Sequence, residues 1–292
     1  MHTRFFLPLT LAATLFTAQP VFAQNIDELF RQGNAARDAR NFSASEQIFR
    51  TIISIEPNNA AAYINLGLAL YDQGRLAESI NNSRTAIRLD PNNARAYSNL
   101  GLAMTDQGNL VEAITSYRTA IRLDPNLAPI YTNLGSALRY QGNLVEAITS
   151  HRTAIRLDPN FALAYNNLGA ALYDQGNLTE AITNFLTAIR LDPNNATAYA
   201  SLGIALAAQG NLLESITNSR ISISLDPNNA LAFNTLGYAL HTQGNLTEAI
   251  VNYRTALRVN PSRTPTQNSL QTTIQNNLRL AEQQLAEQQR RR

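Results

Sequence analysis

Asparagine returns at residues 65, 99, 133 and 167, and Ser201 and Thr235 take the next two places at the same spacing. A carboxamide carries both a donor and an acceptor. A row made of Asn65, Asn99, Asn133 and Asn167 could therefore pair with the N–H and C=O groups of an extended peptide, whatever its sequence. A second row at that spacing is variable: Tyr71, Thr105, Arg139, Tyr173, Ala207 and His241. A third is Ile64, Ser98, Thr132, Asn166, Ala200 and Asn234. Tyrosine and arginine are favoured interface anchors, so variation along these rows is where specificity would reside. Arginine also forms pairs four residues apart, Arg84/Arg88, Arg118/Arg122, Arg152/Arg156 and Arg254/Arg258. Aligned by stacking, they would make a stripe able to meet phosphate or anionic lipid. Repeated acids, Asp90, Asp124 and Asp158, dilute that field.

Little here could build an active site. Beyond the first residues there are two histidines, His151 and His241, and cysteine is absent. His151 stands where other units carry Tyr117, Phe185 or Tyr253, a packing position, and His241 has no recurring acid or nucleophile beside it. No metal-ligand spacing, phosphate loop or nucleophile motif occurs. The expectation is a chain that is not an enzyme and holds no cofactor or metal. All 23 cationic residues are arginine, and they face 21 acids for a net charge of +2. So slight an imbalance gives no bulk attraction to nucleic acid.

Any site must be positioned by the elements around it, and these repeat. Pro57, Pro91, Pro125, Pro159, Pro193, Pro227 and Pro261 are spaced by 34 residues without a slip, a period that marks a repeat architecture. Within one unit Tyr165, Leu168 and Leu172, then Leu178, Ile182, Phe185 and Ile189, follow helical spacing. This predicts two amphipathic helices per unit. Gly176 can end the first in the left-handed conformation, and Asn177 with Glu180 makes a capping box for the second. Asn177 and Asn245 also match a glycosylation acceptor, but Asn recurs there without Thr, so capping accounts for it. Gly169 costs a helix about 1 kcal/mol relative to alanine, which predicts a close contact there, with Ala181 opposite.

Tyr165-x-x-Leu168-Gly169-x-x-Leu172, then Ala181-x-x-x-Phe185, Ala188 and Pro193, resembles a tetratricopeptide repeat. Seven units in phase, 26–59, 60–93, 94–127, 128–161, 162–195, 196–229 and 230–263, cover most of the chain. The resemblance implies an all-α fold, a right-handed α-solenoid of helix-turn-helix units whose first helices line a concave groove. It also implies a protein or peptide partner there, with Asn65, Asn99, Asn133, Asn167, Tyr71, Arg139, Tyr173 and His241 as the groove residues. The asparagine row is similar to the ladder in the peptide-binding repeats attached to protein O-GlcNAc transferases. The lysine and arginine clamp with which some members grip a carboxylate is not carried over, since lysine is absent. The first unit, with Gln32 and Arg40 in place of Leu and Gly, reads as an N-terminal cap. Over 264–292, Leu270, Ile274, Leu278, Ala281 and Leu285 outline a C-terminal capping helix, with Arg290 to Arg292 fraying beyond it.

The N-terminal residues are read separately. Arg4, the apolar run Phe5 to Phe16 and Val21-Phe22-Ala23 predict a signal peptide over 1–23, cut after Ala23. With no later stretch long enough to span a bilayer, the mature chain is expected to be secreted or periplasmic. Its expected role is that of a non-catalytic scaffold. The competing reading is an anion- or polymer-binding envelope protein using the arginine stripe.

Overall fold

The computed structural model describes residues 26–260 and 265–291, so the expected leader and Pro261 lie outside it. The described residues form fifteen α-helices and no strand. They pair as α1 (Ile26–Asp38) with α2 (Phe42–Ile55), α3 (Ala60–Asp72) with α4 (Leu76–Leu89), α5 (Ala94–Gln107) with α6 (Leu110–Leu123), and α7 (Ala128–Gln141) with α8 (Leu144–Leu157). The series continues with α9 (Ala162–Asp174) and α10 (Leu178–Leu191), α11 (Ala196–Ala208) and α12 (Leu212–Leu225), and α13 (Ala230–Thr242) and α14 (Leu246–Val259). α15 (Pro265–Arg290) closes the chain. The protein is an all-α solenoid whose helix pairs keep the expected phase.

Backbone hydrogen bonding makes each turn. The Gly176 N–H donates to the Tyr173 carbonyl at 2.9 Å and the Asn177 N–H to Leu172 at 2.9 Å. This is a Schellman closure, and it requires the φ of 88° that Gly176 adopts. Asn177 Oδ1 then accepts the Glu180 N–H at 3.3 Å while its Nδ2 donates to Glu180 Oε2 at 2.9 Å. The same cap recurs at Asn109, Asn143 and Asn245. Asn211 departs from it: its amide turns to Gln209 Oε1, 3.1 Å away, and makes no cap bond. At the far end Asp192 leaves α10, and its carboxylate accepts the Asn194 N–H at 3.2 Å across the proline.

Packing explains the glycine inside the first helix. A Cβ on Gly169 would lie 2.7 Å from the Phe185 ring and 3.1 Å from the Ala181 carbonyl. The expected close contact is therefore present, with the aromatic ring as its nearer partner. Tyr117, His151 and Tyr253 fill the corresponding slot in other units, whereas the second and sixth units place Ser83 and Ser219 there. At those two units the main apolar core divides into blocks running Leu29–Leu70, Ile80–Leu206 and Ile216–Ala281. The hydroxyls of Ser79, Ser83, Ser215 and Ser219 are buried with no hydrogen-bond partner, which disfavours them relative to a packed ring.

Successive first helices approach one another, α3 with α5 through to α11 with α13, whereas no two second helices bring Cα atoms within 8 Å. The first helices therefore form the inner wall of a curve and the second helices its outer wall. α15 covers the last unit with Ile274 and Ala281 buried and Leu270, Leu278 and Leu285 packed beside them. It stays helical to Arg290, one residue into the expected frayed tail, and it also contacts α5.

Candidate binding groove

Three hollows follow one another along the inner wall. The N-terminal one, of about 520 Å³, is lined by Arg37, Asn65, Leu68, Arg95, Asn99 and Leu127, among others. A second, of about 320 Å³, lies between α7, α9 and α11 and includes Arg139, Tyr140, Asn167, Tyr173, Ser201 and Ile204. The third, of about 340 Å³, shares Tyr173, Ile204 and Leu231 with the second and adds Tyr238, Leu270 and Asn277.

The asparagine row faces this wall, but three of its four amides each spend a donor within the chain. Asn65 Nδ2 donates to the Ala61 carbonyl at 2.9 Å, Asn99 Nδ2 to the Ile64 carbonyl at 3.1 Å and Asn167 Nδ2 to Ser136 Oγ at 3.2 Å. Asn167 Oδ1 also accepts from Asn166 at 3.3 Å. Asn133 is half-buried. Asn65 and Asn99 each keep the carbonyl oxygen and a second amide N–H for a ligand.

Three polar pairs bridge neighbouring first helices of the wall at a recurring offset, while Arg95 of the N-terminal hollow stays exposed. Arg37 Nε donates to Asp72 at 2.6 Å, the Tyr71 hydroxyl to Asp106 at 2.7 Å and Arg139 Nε to Asp174 at 2.6 Å. Burial, reinforced by Asp106, pushes the Tyr71 phenol well above its ordinary range. Tyr173 is raised by burial and by the nearby Tyr238 and Asp174. The Arg139 guanidinium also sits 5.7 Å from the centroid of the Tyr140 ring, within cation–π range.

His241 is engaged by the C-terminal helix. Its Nε2 lies 3.0 Å from Gln284 Oε1, and its ring stands edge-on to Tyr253 with 6.4 Å between centroids. It helps to seat α15. The row expected to vary in the groove, Ile64, Thr132, Asn166, Ala200 and Asn234, is buried between units, and Ser98 is its only half-buried member. The sequence reading passed over Tyr140 and Tyr238, 46% and 44% exposed on the wall. Neither belongs to the three rows that begin at Ile64, Asn65 and Tyr71. The sequence reading also took α15 for a cap alone, although Leu270, Thr273 and Asn277 line the third hollow.

On the outer wall the first arginine of each pair is matched by an acid. Arg84 pairs with Glu112 at 2.8 Å, Arg118 with Glu146 at 2.6 Å, Arg152 with Glu180 at 2.8 Å and Arg254 with Glu282 at 2.8 Å. Each of these arginines meets the capping-box glutamate of the next unit, or its counterpart on α15, whereas Arg88, Arg122, Arg156 and Arg258 stay exposed near the C-terminal ends of their helices. Leu186 interrupts the series. His151 is buried with both ring nitrogens unpartnered. Among the described residues no three His, Asp or Glu side chains are placed to hold a metal, and no helix is long and apolar enough to cross a membrane.

A family model described as "Cilia and flagella-associated protein 70 C-terminal domain" matches residues 32–292. No curated protein sequence matches the chain. A tetratricopeptide repeat protein from Parabacteroides merdae ATCC 43184 superposes with a TM-score of 0.69 at 17% identity, covering 88% of this chain and 98% of that one. A chain of the APC/C hetero-tetramer Cut9-Hcn1 superposes with a TM-score of 0.67 at 18% identity; the match covers 86% of this chain and 46% of that one, so this chain spans less than half of it. PilF of Pseudomonas aeruginosa gives a TM-score of 0.58 at 21% identity over 70% and 92% of the two chains. At these identities the likeness is one of fold.

Proposed function

Since this chain belongs to the tetratricopeptide repeat family described as the Cilia and flagella-associated protein 70 C-terminal domain, we propose that it is an exported, non-catalytic scaffold that receives a protein or peptide partner along its concave groove. The observation that carries this reading is the row of three hollows on the inner wall. The groove is prearranged by packed helices, which limits the ordering cost of association. Asn65, Asn99, Asn133, Asn167, Tyr71, Arg139 and Tyr173 are the side chains it offers. Because Arg37 and Arg139 are already paired and Arg95 is left as the cation facing a ligand, affinity is expected to fall only modestly with ionic strength. The apolar leader ending Val21-Phe22-Ala23 supports export.

Site-specific photo-crosslinking in the native cell tests the groove. A crosslinker at Asn99 or Asn133 is expected to yield a protein adduct, and one at Thr119 on the outer wall none. Adducts from Thr119 alone would move the binding face to the outer wall. Fractionation of the same cells tests export, which a cytoplasmic, uncleaved product would refute.

A further inference from the structure

The two halves of the groove differ in chemistry. The N-terminal helices carry ionic groups on the inner wall, with Asp72 on α3 and Arg95 and Asp106 on α5. In the C-terminal half the ionic groups lining the hollows are one matched pair, Arg139 with Asp174, both in the second hollow. α9 contributes one acid, Asp174, which is paired with Arg139, and α11 and α13 contain no Asp, Glu or Arg at all. α15 bears no charge before Arg279, so Leu270, Thr273 and Asn277 continue the neutral wall. Three tyrosines lie along this stretch, Tyr140, Tyr173 and Tyr238, and Ile204 and Leu231 lie between the hollows.

We propose that this C-terminal half is a two-chambered site for an uncharged segment of a partner protein, one apolar side chain entering each hollow and Tyr173 standing between them. The proposal rests on the groove reading and specifies the partner's chemistry. A charged side chain entering here would lose its water and find no free counter-charge. An apolar or aromatic one gains contact with the exposed tyrosine faces. The amides add little here, because both polar ends of Asn167 are already bonded within the chain.

Geometry sets the spacing. The hollows are one unit apart along the wall, and neighbouring packed helices lie about 8–10 Å apart. Two side chains on one side of a polyproline II segment recur at i and i+3, about 9 Å. On a helix the match is i and i+7, about 10.5 Å. The occupant thus presents two apolar residues at one of these spacings with no ionic residue facing the wall between them.

The test is selection of random dodecapeptides displayed on phage against the full-length protein, followed by fluorescence anisotropy with the selected peptides. Enriched peptides are expected to share an apolar pair at i,i+3 or i,i+7. Their affinity should fall about tenfold or more in Tyr140→Ser and Tyr238→Ser, as loss of an aromatic anchor does, and hold in Arg254→Ala on the outer wall. The two tyrosines lie outside the buried core, 46% and 44% exposed, so folding is expected to survive, and circular dichroism melting checks it. Enrichment of acidic or basic motifs, or affinity insensitive to both tyrosine substitutions, overturns the proposal while leaving a groove that crosslinks at Asn99 intact. A dimer in solution that dissociates on the same two substitutions also overturns it, making a second copy the occupant. If neither peptides nor crosslinks are found, the groove reading itself falls.

Discussion

At the residue scale the most informative position is His151. It occupies the slot opposite a helical glycine that Tyr117, Phe185 and Tyr253 fill elsewhere, and a Cβ on Gly135 would lie 2.6 Å from its ring. Its position in the repeat already marked it as a packing residue. Its cost is visible only in the fold, where no group reaches either ring nitrogen. Burial, with a smaller contribution from Arg139, pushes its pKa down from 6.5 to about 4. The folded state therefore keeps the ring neutral while the unfolded chain protonates near pH 6.5. The stability this residue supports is fully present above pH 6.5 and is lost as pH falls towards 4, by up to about 3 kcal/mol. In His151→Phe that component disappears. Urea midpoints at pH 7.5 and 4.5 are expected to converge in the variant relative to the wild type, and equal acid losses in both would show that His151 is not the source.

At the element scale the helix pairs owe their register to turn chemistry, most of which can be read from sequence. Gly-Asn at the interhelix turn, Asn-x-x-Glu at the cap and Asp-Pro-Asn at the exit each specify local hydrogen bonds that the structure contains. The first turn shows what happens without glycine. Arg40 holds a φ of 58°, the one positive value outside glycine among the described residues, and keeps the closure with its N–H on the Arg37 carbonyl at 2.8 Å. A side chain in the left-handed region costs about 1–2 kcal/mol. Arg40→Gly is therefore expected to stabilise the N-terminal cap by about 1 kcal/mol, read as a higher urea midpoint. An unchanged or lower midpoint would mean that another contact of Arg40 offsets the strain. The outer ion pairs were less legible: arginine and glutamate 28 residues apart recur in the sequence, but only stacking shows that they meet. These pairs are exposed, so each contributes at most about 1 kcal/mol. Their main effect is to neutralise one arginine of each outer pair, which weakens the anionic-ligand reading.

At the scale of the whole molecule a solenoid is a chain of neighbour contacts, and its ends and weak links decide its behaviour. The weak links are the second and sixth units, where Ser83 and Ser219 replace an aromatic ring and the core blocks end. The C-terminal end depends on α15, which buries Ile274 and Ala281 over the last unit, bonds Asn277 to Asn234 at 3.2 Å and touches α5. Deleting residues 264–292 uncovers Leu236, Leu240, Ile250 and Tyr253. Burial of each such side chain is worth about 1.5–3 kcal/mol when complete, so the truncated chain is expected to melt lower and to bind a hydrophobic dye. Hydrogen exchange should show the loss concentrated after Leu206, where the central block ends, and protection lost evenly along the chain would contradict a core divided at the sixth unit. Peptide affinity in the third hollow should fall as well, because Leu270 and Asn277 form part of it.

The periodic apolar pattern, the glycine and proline punctuation and the capping residues acted over a few residues each. A linear reading therefore sufficed for the helices and their pairing. Burial of His151, the pairing of Arg139 with Asp174 and of Arg84 with Glu112, and the engagement of the asparagine amides depend on which side chains of one unit reach the next. Neighbouring units bring together residues 28 to 35 positions apart, and α15 is laid across the last unit and back to α5. Those distances are set by how far each pair rotates on its neighbour, a property of the packed array that no single unit encodes. Which tyrosines face the hollows of the C-terminal half was decided there.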